Sequence, residues 1–281
     1  MFELISVKDL SELRNNEKCS IIDIRDKEDY DNGHLPGALN ITDFFYYLSK
    51  SSAEDIEKIK NDFQEKLDSN GIKNTDTVVL YEEEMDKRYG GSCRGAFIMK
   101  FLGHQKVYVL HGGYSAWLNA GMEISKDETK TEKSDYKITI DKTWFVDYRE
   151  TLEAINNPDI HLLDNRDRDE WIGISSSPYG VDYSPRKGRI PGAKWIEWYN
   201  FMEENHGIPM FKSDEEIKRI AEENGFSQDM HIIIYCFKGS RASNTLLALH
   251  KAGYRHLKVY FASWYEWAEI SDLPVDDKVL G

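Results

Sequence analysis

The stretch Ile232-Ile233-Ile234-Tyr235-Cys236-Phe237-Lys238-Gly239-Ser240-Arg241-Ala242-Ser243 decides the fold of its part of the chain. The apolar first part predicts a short buried strand that ends at Cys236. A turn with Gly239 follows, and small or apolar residues then recur at helical spacing, namely Ala242, Leu246 and Leu249. The stretch therefore predicts a strand, a tight loop and a helix.

The predicted loop is suited to hold a sulfur anion or an oxyanion. Backbone N–H groups of residues 237–241 can converge above Cys236, and the first helical turn adds its positive end. Lys238 and Arg241 are two nearby cations, which favour a thiolate. A cysteine at the end of an apolar strand is more often a small core residue. Such a cysteine needs no glycine turn with two cations, so we interpret Cys236 as a nucleophile.

Composition excludes several classes of protein. The 281 residues are enough for two domains, and 36 Lys and Arg against 50 Asp and Glu give a net charge of −14, which argues against a nucleic-acid partner. The three cysteines Cys19, Cys93 and Cys236 are far apart, so neither a disulfide framework nor a zinc site is expected. Without a signal segment or a stretch that could span a bilayer, a cytoplasmic protein is expected, with no membrane partner.

The same order of motifs occurs twice. Asp-x-Arg at Asp23 and Asp164 precedes a loop with Pro-Gly-Ala, then an apolar strand, and finally a motif that ends in tryptophan. The matched pairs lie 141 to 155 positions apart: Asp23 and Asp164, Gly33 and Gly188, Tyr81 and Tyr235, Trp117 and Trp267. One supersecondary plan is therefore used twice.

Alternating strands and helices predict two α/β domains with mainly parallel sheets flanked by helices. We expect one domain over residues 1–124 and another over residues 143–281. The charged run within 125–142 predicts a solvated linker. In such sheets ligands bind at the carboxyl ends of strands, which is where Cys236 is expected.

These motifs together resemble the rhodanese family in its tandem two-domain form. The similarity rests on Asp-x-Arg with the Pro-Gly-Ala loop, on the six-residue loop Cys236–Arg241, and on the motif Gly112–Trp117 with its weaker copy Ala262–Trp267. It implies sulfur transfer through a persulfide on Cys236. The donor would be a small anion such as thiosulfate or 3-mercaptopyruvate, and the acceptor a thiol, cyanide or a protein.

The resemblance implies no metal and no organic cofactor. Residues of the loop would bind the donor, namely Phe237, Lys238, Gly239, Ser240 and Arg241. Lys238 is similar to the residue of thiosulfate-specific members, so thiosulfate is the preferred donor. Related phosphatases have five residues between Cys and Arg, whereas this loop has four, which favours sulfur over phosphate.

Only the second copy is expected to be active. The first copy has Glu82 at the position of Cys236, within an acidic run that would repel an anionic donor. It would be a silent copy that helps to form the cleft wall, and His34 is a candidate to face the cleft. Cys93 and Cys19 are interpreted as structural.

The donor clamp stays open at this point. The arginine that thiosulfate and mercaptopyruvate enzymes place after Asp-x-Arg aligns with Glu170. The second copy has 14 extra residues before Gly188, which end in Arg186 and Lys187 and are followed by Arg189. One of these cations is expected to clamp the donor over Cys236, and the alternative is an exposed loop whose charges contact only water.

Two other functions remain as alternatives to small-molecule sulfur transfer. A persulfide carrier fed by a partner protein would use the same loop. An oxyanion-binding module would bind thiosulfate or sulfite without turnover.

Overall fold

A computed structural model describes residues 2–280, and the chain forms two compact units. The first unit is built from the chain up to Tyr46, from Glu57–Asp141 and from Glu203–Phe211. The second is built from Tyr47–Ile56, from Lys142–Met202 and from the chain after Phe211. Each half of the sequence therefore contributes one short segment to the unit formed mainly by the other half.

The first unit contains a five-stranded sheet in which the strand order is β1-β5-β4-β2-β3 and every pairing is parallel. Its strands are β1 (Phe2–Ile5), β2 (Cys19–Asp23), β3 (Ala38–Asn40), β4 (Thr77–Tyr81) and β5 (Val107–Leu110). Five helices accompany this half of the sequence: α1 (Val7–Asn16), α2 (Lys27–Asn32), α3 (Ala53–Ser69), α4 (Gly91–Phe101) and α5 (Gly113–Asn119). All residues of β4 are buried, which explains its unbroken run of apolar and aromatic residues after Thr77.

The second unit repeats this topology with the strand order β6-β12-β11-β7-β8, again with parallel pairings. Its strands are β6 (Phe145–Val146), β7 (Ile160–Asp164), β8 (Lys194–Trp195), β11 (His231–Tyr235) and β12 (Leu257–Tyr260). Its helices are α6 (Tyr148–Ala154), α7 (Arg168–Trp171), α8 (Asp214–Glu223), α9 (Ser240–Lys251) and α10 (Ser263–Glu269). A short 3-10 helix (Trp198–Phe201) precedes the two-stranded sheet of β9 (Met202–Asn205) and β10 (Ile208–Phe211).

The expectation of two α/β domains with parallel sheets flanked by helices is confirmed. Because all strands of the second sheet are parallel, their carboxyl ends lie along one edge. β11 is the middle strand of that sheet, and the chain passes from its end through Cys236 into α9. Cys236 therefore lies at the centre of the carboxyl edge.

The charged segment between the copies lies along the first unit. Ser125 and His34 exchange backbone hydrogen bonds of 2.9 and 3.0 Å. Further along, the buried Tyr136 hydroxyl bonds Nδ1 of His104 at 2.7 Å. Most side chains from 126 to 133 are exposed. The segment is thus exposed at its charged run but anchored at both ends.

Candidate active site

The loop after β11 curls around the sulfur of Cys236. The cysteine is only 1% exposed, and the backbone N–H of Gly239 donates a hydrogen bond to its Sγ atom at 3.0 Å. Gly239 has a φ of 85°. A Cβ atom there would lie 2.5 Å from the carbonyl oxygen of Phe261, so the turn requires glycine on steric grounds.

A segment that follows β12 holds this loop in place. The N–H of Trp264 donates to the carbonyl oxygen of Cys236, and the N–H of Tyr265 donates to that of Phe237, both at 3.0 Å. In the first unit the N–H groups of residues 114 and 115 bond the carbonyl oxygens of residues 82 and 83 in the same way. In both copies, backbone hydrogen bonds from the terminal aromatic motif therefore hold the loop in place.

Ser263 is a site residue that the sequence analysis did not single out. Its buried Oγ accepts a hydrogen bond from the N–H of Cys236 at 3.1 Å, donates to the carbonyl oxygen of Tyr260 at 2.7 Å, and lies 4.0 Å from Sγ. Its φ of 58° is in the left-handed region, where a non-glycine residue costs roughly 1 kcal/mol. The repeat carries the signal, because Ser263 stands where the first copy has Gly113, whose φ is 63°.

Arg241 lies beneath the loop in a buried ion-pair network. Its guanidinium donates to Glu170 through two hydrogen bonds of 2.6 and 3.1 Å and pairs with Asp167 at 2.7 Å. Burial alone would lower the pKa of Arg241, but the charges of Glu170, Cys236 and Asp167 outweigh burial and raise it. Burial also raises the pKa of Glu170, although the charge and the hydrogen bonds of Arg241 oppose this rise.

This network gives Arg241 a structural role beside its expected role in binding the donor, which stays a prediction. Two carboxylates face its guanidinium, so the side chain holds the loop onto α7. The acidic residue that aligns with the family arginine, Glu170, is the main partner. A sequence shows both residues but not that they meet across 71 positions.

Lys238 is surrounded by aromatic side chains. It is half-buried, and its Nζ lies 4.2 Å from the ring centroid of Tyr47 and 4.6 Å from that of Tyr265. Phe237 is buried, and the buried Ser240 is the first residue of α9. The structure thus brings Phe237, Lys238 and Gly239 together around Cys236.

Arg186, one of the cations expected to clamp the donor, contacts the chain around the end of α10 in the structure, and the clamp over Cys236 stays a prediction. The guanidinium donates to backbone carbonyl oxygens at and after the end of α10, which are those of Trp267, Ala268, Ile270, Ser271 and Leu273. Carbonyl groups at a helix end have no intrahelical donor, so they attract a cation. Arg186 therefore fixes the chain that follows α10.

Arg189 and Lys187 are also engaged elsewhere. Arg189 is 4% exposed and donates to the carbonyl oxygens of Trp171 and Lys278 and to the carboxylate of Asp276. Lys187 pairs with Asp182 at 2.6 Å. The structure shows these cations in contacts that fold the extra segment of the second copy, and none of the contacts is to Cys236.

In the first unit a carboxyl group, that of Glu82, occupies the position that corresponds to Cys236. Glu82 is 1% exposed and accepts hydrogen bonds from the N–H of Gly91 at 3.2 Å and of Ser92 at 2.9 Å. Burial raises the pKa of Glu82 to about 8, although the hydrogen bonds from Ser92 and Gly91 oppose this rise. The first backbone N–H groups of α4 are thus bonded to the side chain of Glu82.

His34 does not line a cleft. It is fully buried, and its ring nitrogens lie 2.8 Å from the carbonyl oxygen of Tyr30 and 3.1 Å from that of Asp127. Cys93 is buried within α4, and Cys19 is half-buried at the start of β2. All three residues have structural surroundings.

Over residues 2–280, no group of three or more His, Cys, Asp or Glu side chains is arranged to hold a metal ion. In the same range, no helix is both long and apolar enough to cross a membrane. The cytoplasmic location stays a prediction.

The class of protein is defined by the fold and the loop together. Two copies of a parallel α/β domain are present, and in one of them a loop at the carboxyl edge of the sheet carries a cysteine. The family model for the rhodanese-like domain matches residues 6–120 and 147–270. The chain therefore belongs to the rhodanese family.

Relatives and solved structures agree with this assignment. A Saccharopolyspora erythraea protein provisionally named a thiosulfate sulfurtransferase is 31% identical over 88% of this chain and 86% of its own length. The Thermus thermophilus sulfur carrier protein TtuD is 29% identical over 88% of this chain and 86% of its own. The structure of an anaerobic ergothioneine biosynthesis enzyme from Chlorobium limicola, with trimethyl histidine, has a TM-score of 0.83 at 27% identity and covers 99% of this chain and 71% of that one.

Proposed function

We propose that this protein is a sulfurtransferase that carries sulfane sulfur as a persulfide on Cys236. Thiosulfate is the preferred donor, with 3-mercaptopyruvate as the second choice, and cyanide or a thiol is the acceptor. The observation that carries the proposal is the hydrogen bond from the N–H of Gly239 to Sγ, within a loop of the rhodanese family. Relatives named for thiosulfate sulfur transfer support this donor.

The proposed reaction has two nucleophilic displacements at sulfur. The Cys236 thiolate attacks the outer sulfur of thiosulfate, a new S–S bond forms, and the old S–S bond breaks so that sulfite leaves with the electron pair. The acceptor then attacks the outer sulfur of the persulfide, and the Cys236 thiolate leaves. Cyanide gives thiocyanate and a thiolate gives a persulfide, so the cycle needs no external oxidant or reductant.

The loop supplies the groups that these steps need. The N–H of Gly239 stabilises negative charge on Sγ. The hydroxyl of Ser263, 4.0 Å from Sγ, is a second donor close to the sulfur. Lys238 provides positive charge for an anionic donor. Arg241 acts as a positioning residue through Glu170, and the first copy, with Glu82 in place of the cysteine, is catalytically silent.

A sulfur carrier is a second candidate, and two observations favour it. TtuD, a relative of similar coverage, is named a sulfur carrier protein, and Cys236 is almost fully buried. A carrier would receive sulfur from a partner protein and deliver it to another protein. It would show slow loading by small donors and slow release to cyanide.

The first test is the intact mass of the protein after incubation with thiosulfate and, separately, with 3-mercaptopyruvate. The expected result is a gain of one sulfur atom per chain, absent in Cys236→Ser and retained in Cys93→Ser. Cys93 is the matched control because it is also a buried cysteine near a helix start. The donor that loads faster is the preferred one.

Release of the bound sulfur separates the candidates. Thiocyanate formation at many turnovers supports the sulfurtransferase, whereas loading without turnover favours the carrier. Binding of thiosulfate with no mass gain would indicate an oxyanion-binding module. Hydrolysis of an aryl phosphate that Cys236→Ser abolishes would refute sulfur transfer as the main activity.

A further inference from the structure

An aromatic cage surrounds the ammonium group of Lys238. The two nearest ring centroids, those of Tyr47 and Tyr265, lie 4.2 and 4.6 Å from Nζ. Three more follow at 5.1, 5.3 and 5.5 Å, those of Tyr179, Tyr183 and Phe237. We call these five rings the aromatic cage.

The cage is a built arrangement with Phe237 at its base. Phe237 is 1% exposed, and the rings of Tyr179, Tyr183 and Tyr265 meet it edge to face with centroids 5.7 to 5.9 Å apart. Tyr47 meets Tyr265 edge to face at 6.2 Å. Aromatic pairs favour this geometry, so the rings fix one another.

The four tyrosines come from three separate parts of the chain. Tyr47 belongs to the short segment of the first half that is part of the second unit. Tyr179 and Tyr183 lie in the extra residues before Gly188, and Tyr265 lies on α10. The extra residues therefore contribute rings beside the loop, whereas their cations fold the segment itself.

A cation near several ring faces is held by the negative potential of those faces. Each contact contributes about 0.5–1 kcal/mol at an exposed site and more where water is excluded. A lysine side chain is otherwise flexible and strongly hydrated. The cage therefore keeps one positive charge at a fixed place two residues from Cys236.

We propose that the aromatic cage selects sulfur donors by their charge, with its four tyrosines as positioning residues that hold Lys238 close to Cys236. The donor class rests on the proposed sulfurtransferase function and deepens it. The cage would favour a doubly charged donor over a singly charged one, and a singly charged one over a neutral one.

The size of the effect follows from Coulomb's law. If the separation between charge and sulfur is taken as roughly 8–10 Å, Coulomb's law gives a rate change of about 2- to 30-fold for a singly charged reagent, for effective dielectric constants of roughly 80 to 20. Because the energy is proportional to reagent charge, the factor for a doubly charged donor is the square of that factor. A merely structural role of the tyrosines would affect donors of every charge equally.

The first experiment measures the alkylation of Cys236 by iodoacetate and by iodoacetamide, with the modified cysteine identified by peptide mass. The two reagents have similar shapes, but only iodoacetate is charged, so the ratio of their rates reports the local potential. We expect Lys238→Gln to lower this ratio by about 2- to 30-fold. The triple variant with leucine at Tyr47, Tyr179 and Tyr183 should also lower the rate ratio. The expected factor is at least about the square root of the factor for Lys238→Gln.

The matched controls are the phenylalanine variants at positions 47, 179 and 183, which keep the ring faces and should keep the ratio within about twofold. A blocked loop would slow both reagents and leave the ratio unchanged, whereas misfolding would expose the buried Cys236 and speed both reactions, so the absolute rates distinguish these cases. Two outcomes overturn the proposal. One is that Lys238→Gln leaves the rate ratio unchanged. The other is that Lys238→Gln lowers the ratio but the leucine variants do not.

The second experiment compares persulfide loading by thiosulfate, with two charges, and by methanethiosulfonate, with one. In the leucine variants the fold-loss with thiosulfate should equal the square of the loss with methanethiosulfonate. Equal losses would overturn selection by charge. If no donor loads sulfur but the alkylation ratio still falls, the cage stands and the proposed sulfurtransferase function fails.

Discussion

Replacing Glu82 by glutamine should change how the stability of the first unit depends on pH. The unfolded carboxyl group loses its proton near 4.5, whereas burial raises the pKa of Glu82 to about 8 in the folded chain. Between these values the folded state binds more protons than the unfolded state. The free energy of unfolding therefore falls as pH rises through this window.

The magnitude follows from the two values. The gap between 4.5 and about 8, at about 1.4 kcal/mol for each pH unit, corresponds to a total loss of about 5 kcal/mol above pH 8. Integration over the range from pH 5 to pH 7 gives a loss of about 2.5 kcal/mol from this one group. Glutamine has no proton to lose, so Glu82→Gln should lack this loss. It should be less stable than the wild type at pH 5, by about 1 kcal/mol, because one N–H of Gly91 or Ser92 loses its acceptor.

The assay is urea unfolding at pH 5, 6, 7 and 8, with hydrogen exchange of the amides in β4 and α4 to follow the first unit. We expect the wild-type and Glu82→Gln stability curves to cross, with the variant more stable at pH 8. Glu28→Gln is the matched control, because Glu28 is exposed on α2 of the same unit. Parallel stability curves for wild type and Glu82→Gln would show that burial at the start of α4 does not raise the pKa of Glu82, and would refute the reasoning.

Three further predictions concern the second unit. Gly239→Ala should abolish persulfide loading, because its Cβ would lie 2.5 Å from the carbonyl oxygen of Phe261; a loading rate like that of Gly207→Ala, with open space around it, would contradict this. Ser263→Ala should slow loading about fivefold, through loss of a hydroxyl near Sγ worth about 1 kcal/mol, and should lower the free energy of unfolding by about 1–3 kcal/mol because the buried N–H of Cys236 loses its acceptor, while Ser263→Gly should melt no lower than Ser263→Ala. Ser51→Ala should lower the free energy of unfolding by about 1–3 kcal/mol, since the buried Glu266 carboxylate loses a donor at 2.8 Å; an unchanged urea midpoint would show that this bond adds nothing.

The sequence predicts the elements of the fold where a local pattern encodes them. The stretch around Cys236 predicts a buried strand, a tight loop and a helix, and the structure shows the strand as β11 and the helix as α9. The strand is a buried apolar run, and the helix repeats small or apolar residues at helical spacing. Turn glycines such as Gly239 carry a conformational requirement that a sequence also reveals.

The contacts of the cations could not be predicted in the same way. A sequence shows that Arg186 is a cation near the active loop, but not that carbonyl groups at the end of α10 lie within its reach. The charge of Arg186 alone favoured a donor clamp. In the structure, the carbonyl groups at the helix end accept the hydrogen bonds of its guanidinium. The same limit applies to Arg241, whose partner Glu170 is distant in the chain.

The aromatic cage was missed for a related reason. Tyr179 and Tyr183 lie in the extra residues of the second copy, and Tyr47 lies in the other half of the sequence. No periodic pattern connects these positions, because their proximity depends on which unit residues 47–56 join. The repeat itself could have revealed Ser263, since a serine aligned with a glycine of positive φ is an unusual substitution.

The exchange of short segments between the two halves affects how the protein is made. While the chain leaves the ribosome, residues 47–56 emerge early and must wait for Lys142 and the residues beyond it before their own unit exists. The first unit stays unfinished until Phe211 has been synthesised. A chain divided at the charged segment would give two fragments that each lack a segment of their own unit, so we expect neither fragment to complete its fold alone.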